Sequence, residues 1–234
     1  LELGGMGANI IFSDCDVEKA VKRGAAHCFN NTGQSCNAPT RMLVQMDVYE
    51  KAIQVAQETA ENTEVNEPNL SGNHIGPLVS EVQYNKVQDL IDAGIKEGAK
   101  LIAGGLGRPE GFNRGYFVRP TVFADVNNDM RIAREEVFGP VLSIIPFETE
   151  EEAIAISNDT SYGLTDYVQS GDSERTQRVA RQLRAGMVQV NGAPRASGSP
   201  FGGYKQSGNG REGGIEGFEE FLETKAVSGW TTTS

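Results

Sequence analysis

Between Ile10 and Val190, short apolar runs alternate with stretches whose apolar residues recur every three or four positions. The runs at 10–12, 41–45, 100–103, 141–147, 165–170 and 187–190 are too short for helices and carry the β-branched residues of strands. The intervening segments at 17–28, 49–60, 80–97, 149–158 and 172–184 have helical periodicity. Strand and helix in regular alternation predict an α/β domain with a twisted, largely parallel sheet flanked by helices. Local signals refine this. Ser13 and Asp14 are candidate N-caps for the first helix, and Ser80 with Gln83 forms a capping-box pattern for the third. The third helix directs Val87, Leu90, Ile91 and Ile95 to the core and stops at Gly98. Pro120 interrupts the extended stretch at 116–126 and predicts an edge strand there. Residues 62–77 and 104–115 read as loops.

With 234 residues and 38% hydrophobic content, the chain has enough apolar material for a substantial core. A net charge of −11 with no cluster of Lys and Arg opposes binding to a phosphate backbone, so no nucleic-acid partner is expected. No run approaches the roughly 20 apolar residues of a membrane span. Three cysteines, an odd number without metal-ligand spacing, and only two histidines argue for reduced thiols, no metal and a reducing, cytoplasmic compartment.

One of those cysteines stands apart. Cys36 follows the first helix in the polar, turn-rich stretch Phe-Asn-Asn-Thr-Gly-Gln-Ser-Cys-Asn-Ala-Pro-Thr-Arg, whereas Cys28 falls on that helix's apolar face. A free thiol has a pKa of about 8.5 and attacks as the thiolate, so a working cysteine needs exposed backbone N–H groups and few apolar neighbours. The loop meets that requirement, although a small buried cysteine is the ordinary alternative. The carboxylate of Glu2 adds weight. If the strand at 10–12 is followed by a helix running back antiparallel to it, strand start and helix end lie together, and Glu2 can meet Cys36. Gly208, Gly210 and Gly213 match G-x-G-x-x-G, but no βαβ strand leads into them, so they read as a turn rather than a dinucleotide fingerprint.

Four motifs taken together resemble the aldehyde dehydrogenase superfamily: Leu-Glu-Leu-Gly-Gly at 1–5, Gly-Gln-Ser-Cys at 33–36, Glu-Glu-Val-Phe-Gly-Pro at 135–140 and Pro-Phe-Gly-Gly-Tyr-Lys-Gln-Ser-Gly at 200–208. The resemblance implies Cys36 as nucleophile and Glu2 as general base in NAD- or NADP-dependent oxidation of an aldehyde through a cysteine thioester. It implies Leu3, Gly4, Glu136 and Phe138 at the cofactor, with Glu136 on the nicotinamide ribose, and Asn191 and Phe201 at the substrate. It also implies a homo-oligomer, dimer or tetramer, built through a strand in the tail from Phe221 to Trp230. Residues 1–5 would then close a cofactor-binding domain, 6–205 form the catalytic domain, 206–221 a return segment and 222–234 the oligomerisation strand and tail. The chain is accordingly expected to be the catalytic part of a truncated enzyme, inactive alone, with the cofactor's phosphates held outside it. The family usually carries Lys where this chain has Met6, which removes a cation beside the general base. Arg195 and Ala196 stand where relatives often have an aromatic, so an aromatic-lined tunnel is not expected. A cofactor-independent thiol esterase and a catalytically silent assembly domain remain the alternative readings.

Overall fold

The computed structural model describes residue 1 and residues 3–229. Among the described residues, seven strands form one sheet in the order β3-β4-β5-β2-β1-β6-β7. They are β1 (Ala8–Ile11), β2 (Arg41–Gln45), β3 (Lys100–Ala103), β4 (Thr121–Ala124), β5 (Val141–Phe147), β6 (Thr165–Gln169) and β7 (Met187–Val190). Every pairing is parallel except β3 with β4. The α/β, largely parallel sheet expected from the alternation is therefore the observed fold.

Helices cover both faces. On one, α1 (Val17–Phe29) and α2 (Tyr49–Glu61) pack over Ile11, Met42, Val44, Leu142 and Ile144. On the other, α3 (Glu81–Lys96), α4 (Arg131–Arg134), α5 (Glu150–Asn158) and α6 (Ser173–Gln182) pack over Ala8, Ile10, Leu43, Phe123 and Ile145. A strand buried on both faces has no solvent side, which is why β5 reads as a continuous apolar run and not as an alternation.

The structure departs from the sequence reading at several ends. The N-cap of α1 is Asp16, whose carboxylate accepts the Lys19 N–H at 3.2 Å. Ser13 and Asp14 are engaged elsewhere, Ser13 N–H with the Gln45 side chain and Asp14 with Ser170 and Arg175. Ser80 caps α3 by accepting the Gln83 N–H, but the Gln83 side chain does not complete the box; it turns to the carbonyls of Val137 and Phe138. Ile95 is 40% exposed, because the last turn of α3 meets the core through Ala93 and Gly94, the latter facing Ile132 and Phe123. Pro120 does not mark an edge: β4 lies between β3 and β5, and Pro120 sits just before its first paired residue, where no ladder N–H is required. The glycines at 208, 210 and 213 occupy irregular backbone leading into the six-residue α7 (Gly214–Glu219), and no described strand enters them. Residues 221–229 contain no strand in the single chain, and Phe221 and Leu222 are exposed; Trp230, the end of the expected strand, lies outside the described residues.

Candidate active site

Three backbone segments meet at the amino ends of the strands: residues 3–7 before β1, residues 30–40 between α1 and β2, and residues 135–140 before β5. Glycines permit the approach. A Cβ on Gly5 would overlap the carbonyl oxygen of Cys36, one on Gly7 would overlap that of Thr165, and one on Gly33 would run into the Gly139–Pro140 peptide. Gly139 is in turn pressed on Val87 of α3, 2.6 Å from where its own Cβ would stand. Strain gathers at the same place. Asn31 and Thr32 adopt left-handed φ values of 52° and 57°, Gly33 continues with 70°, and Phe138 across the contact has 52°. For a β-branched residue such as Thr32 this conformation is costly, and it persists where surrounding contacts over-determine it. Here Thr32 donates its hydroxyl to the Gly76 carbonyl at 2.9 Å, and Gln34 is fixed by the Val79 N–H at 2.8 Å.

This sharp reversal delivers Cys36 into a turn. The Ala38 N–H donates to the Ser35 carbonyl at 3.1 Å, so Cys36 and Asn37 are its two central residues. Ser35 Oγ bridges to Asn37 Oδ1 at 2.7 Å, and from outside the turn Tyr167 donates its hydroxyl to the Asn37 carbonyl at 2.6 Å. Cys36 is half-buried. The other thiols are less suited to ionise: burial pushes Cys28 up to about 12, and burial followed by Asp14 and Asp16 pushes Cys15 up to about 11.

The carboxylate of Glu136 lies against the same segment. Gly5 N–H donates to Glu136 Oε1 at 2.9 Å, and a Cβ on Gly4 would fall 2.8 Å from Oε2. A side chain at position 4 would fill the space the carboxylate uses. Leu3, Gly4, Gly5, Glu136 and Cys36 are thus one neighbourhood. Phe138, half-buried, is held beside it by Gln83. Glu2 lies outside the described residues, flanked by Leu1 and by Leu3, whose N–H donates to the Ser207 carbonyl at 3.2 Å.

The two residues expected at the substrate separate. Asn191 stands at the carboxyl end of β7, with its side-chain amide bonded to both N–H and C=O of Ser170 at 3.0 and 2.9 Å. Phe201 stands at the amino edge, after the loop has crossed back; its N–H and C=O pair with Glu212, and Gly202 lies against Gly186 before β7. The guanidinium of Arg195 covers the Phe201 ring at 5.7 Å. Met6 is buried, its Sδ accepting the Thr40 hydroxyl, so the thioether packs into the core.

Sequence reasoning missed the buried polar support. Arg41, fully buried at the start of β2, donates to the carbonyls of Met6, Ile156 and Ser157 and to Asn128 Oδ1. Burial lowers its pKa to about 10, while Asp166 opposes that shift. Burial also raises Asp166, whose oxygens accept from Ala8 N–H and Ser157 Oγ. A single charged residue in each of two otherwise uncharged strand runs, Arg41 in β2 and Asp166 in β6, was the available signal, since neither type is normally buried without partners.

Comparison with known proteins identifies the family. The sequence profile described as "Aldehyde dehydrogenase family" matches residues 1–227. A 3-succinoylsemialdehyde-pyridine dehydrogenase of a Pseudomonas species is 57% identical over 98% of this chain and 48% of its own length. The crystal structure of an aldehyde dehydrogenase from Bartonella henselae superposes with a TM-score of 0.95 at 60% identity, over 98% of this chain and 48% of that one. That of a mutant aldehyde dehydrogenase C from Pseudomonas syringae, complexed with NAD+ and octanal, gives 0.96 at 48% identity, over 100% of this chain and 48% of that one. The chain spans about half the length of the relatives it matches. On profile, identity and fold together, this chain belongs to the aldehyde dehydrogenase family.

Proposed function

We propose that this chain carries the thiol-bearing half of an enzyme that oxidises an aldehyde to a carboxylic acid with NAD or NADP. The observation that carries the reading is the meeting of the Cys36 turn, the glycine segment before β1 and the Glu136 loop at one edge of the sheet. Cys36, as thiolate, adds to the aldehyde carbonyl carbon, and its own backbone N–H, at the turn, helps hold the resulting oxyanion. A nicotinamide cofactor held beside Glu136 and Phe138 would supply the hydride acceptor for that adduct, and loss of the hydride would leave the acyl group on Cys36 as a thioester. Glu2 takes a proton from water, the hydroxide adds to the thioester carbonyl, and the carboxylate leaves as the Cys36 thiolate is restored. The half-exposed Glu136 carboxylate, fitted into the space left by Gly4, suits the two hydroxyls of a ribose, with Leu3 and Phe138 beside it. Asn191 fixes the start and Phe201 the end of the loop proposed to face the substrate.

The relatives favour this chemistry: one is named for a pyridine-bearing semialdehyde, and another was crystallised with NAD+ and octanal. No described helix is long and apolar enough to cross a membrane, consistent with the cytoplasmic setting we propose. The exposed tail from Phe221 is the proposed contact with a second copy.

The test is formation of reduced nicotinamide with an aldehyde panel in the intact enzyme, abolished by Cys36→Ala. In Glu2→Gln a burst of reduced cofactor followed by turnover slowed by about 10²- to 10⁴-fold is expected. Ester cleavage without cofactor and no aldehyde oxidation would point instead to a thiol esterase. The 234-residue chain alone is expected to fold and to oxidise no aldehyde.

A further inference from the structure

We infer that Tyr167 is a positioning residue for Cys36, fixing the peptide that follows the thiol so that the turn stabilises a thiolate. The inference rests on Cys36 being the nucleophile, and it concerns a residue on a different strand from the three segments that build the site.

The peptide between Asn37 and Ala38 is held at both ends. Its N–H donates to the Ser35 carbonyl at 3.1 Å, and its C=O accepts the Tyr167 hydroxyl at 2.6 Å. An amide plane with both ends engaged cannot rotate without losing two hydrogen bonds, and Cys36 rides on it. The bond also matters electrostatically. A carbonyl oxygen one residue from the sulfur carries partial negative charge that opposes a thiolate, and the Tyr167 proton offsets it. The donor stays protonated because burial first, then Asp166, then Cys36, raise the phenol above its usual value. Packing holds the ring: it lies edge-on to His27 of α1 at 5.4 Å and forms one wall, with Pro39 and Pro194, of a groove of about 180 Å³. The titratable and charged groups facing this turn and ring are His27 and Arg23 from α1, Asp166 from the opposite face of β6, and Glu136 from the loop before β5.

Tyr167→Phe removes the hydroxyl and keeps the ring, its stacking and the groove wall. The experiment measures iodoacetamide alkylation of Cys36 in the 234-residue chain, site by site by mass spectrometry, from pH 5 to 10. Tyr167→Phe is expected to raise the pH midpoint of alkylation by about 0.5–1 unit, lowering the rate near neutral pH by about 3- to 10-fold. His27→Leu removes the stacked ring and a nearby titratable group but keeps the hydroxyl, and is expected to leave the midpoint in place. A Tyr167→Phe profile superposable on that of the unmodified chain would overturn the inference, as would an equal displacement in both variants, which would assign the effect to packing. If Tyr167→Phe fails to fold, 3-fluorotyrosine at position 167, a stronger donor of the same shape, is expected to lower the midpoint; no change there would equally overturn it. Alkylation needs neither aldehyde nor cofactor, so failure of the dehydrogenase reading would appear separately, as absent turnover with the Tyr167 effect intact.

Discussion

The contact on which the site depends most is the approach of Gly5 to Cys36, and Gly5→Ala perturbs it directly. The added methyl would overlap the Cys36 carbonyl oxygen on one side and stand 3.3 Å from Leu164 Cβ on another. Neither neighbour yields easily. The Cys36 turn is tied down by Tyr167 and Ser35, and the Gly5 backbone by the 2.9 Å bond to Glu136. Overpacking against flexible side chains costs about 1–3 kcal/mol, and backbone obstruction belongs at the upper end. Moving Gly5 away also weakens a charge-assisted hydrogen bond of about 1.5–3 kcal/mol. Together these give a loss of about 3–5 kcal/mol, which for a domain of this size lowers Tm by about 6–20 °C. The control is Gly98→Ala, where φ is 95° but an added Cβ meets nothing within 4 Å, so only the left-handed penalty of about 1–2 kcal/mol applies. Thermal unfolding followed by circular dichroism, with Cys36 alkylation in parallel, separates the two. Equal Tm losses and equal alkylation rates in both variants would refute the claim that Gly5 is required by its contact with the nucleophile loop.

Further outcomes are expected. Limited iodoacetamide should label Cys36 well before Cys15 and Cys28, whose ionisation is pushed to about 11 and about 12, and peptide mapping that finds either of those first would remove the basis for choosing Cys36. Arg41→Met strands three carbonyls and the Asn128 amide oxygen, and urea unfolding should show a loss of about 3–5 kcal/mol. Arg41→Lys should recover only part of it, because one ammonium cannot reproduce the fork. Burial lowers the His27 pKa, so its contribution to stability is present above the unfolded value of about 6.5 and is lost as pH falls through the folded one. The decline in stability between pH 7 and 5 should therefore be shallower in His27→Leu, and an unchanged slope would show that His27 is not the group responsible.

What the sequence disclosed and what it hid follow from the range of each signal. The alternation of runs and periodic stretches is local and repeated, so β2, β3 and β7 fall at the expected residues, as does the Ser80 cap. The pairing of Gly33 with Gly139 spans more than a hundred positions, and nothing in either motif names the other. Each glycine reads as a turn residue until the close approach is seen. Tyr167 was hidden for a related reason: within Thr-Asp-Tyr-Val-Gln an aromatic residue looks like ordinary strand packing, and only the fold brings its hydroxyl to Asn37. Gln83 was half legible, its position as the third residue after a Ser cap being local and its reach to Val137 and Phe138 not.

The edge of the sheet at which the site forms also has a physical reason. Open parallel sheets ordinarily receive ligands outside the carboxyl ends of their strands, which is where the loop beginning at Asn191 lies. Here the carboxyl edge at β6 and β7 is cross-linked by side chains beside a cavity of about 260 Å³: Asn191 holds both backbone groups of Ser170, Ser170 Oγ donates to Asp14, and Arg175 pairs with Asp14 at 2.9 Å. At the amino edge the chain arrives through glycine-rich and left-handed backbone, at Gly5 and Gly7 before β1, Asn31 to Gly33 before β2, and Phe138 to Pro140 before β5. Such segments leave room for close approach where side chains would fill it. A thiol held there projects from a turn instead of packing beneath a helix, which accounts for Cys36 being half-buried while Cys28, eight residues earlier on the same stretch of chain, is sealed in the core.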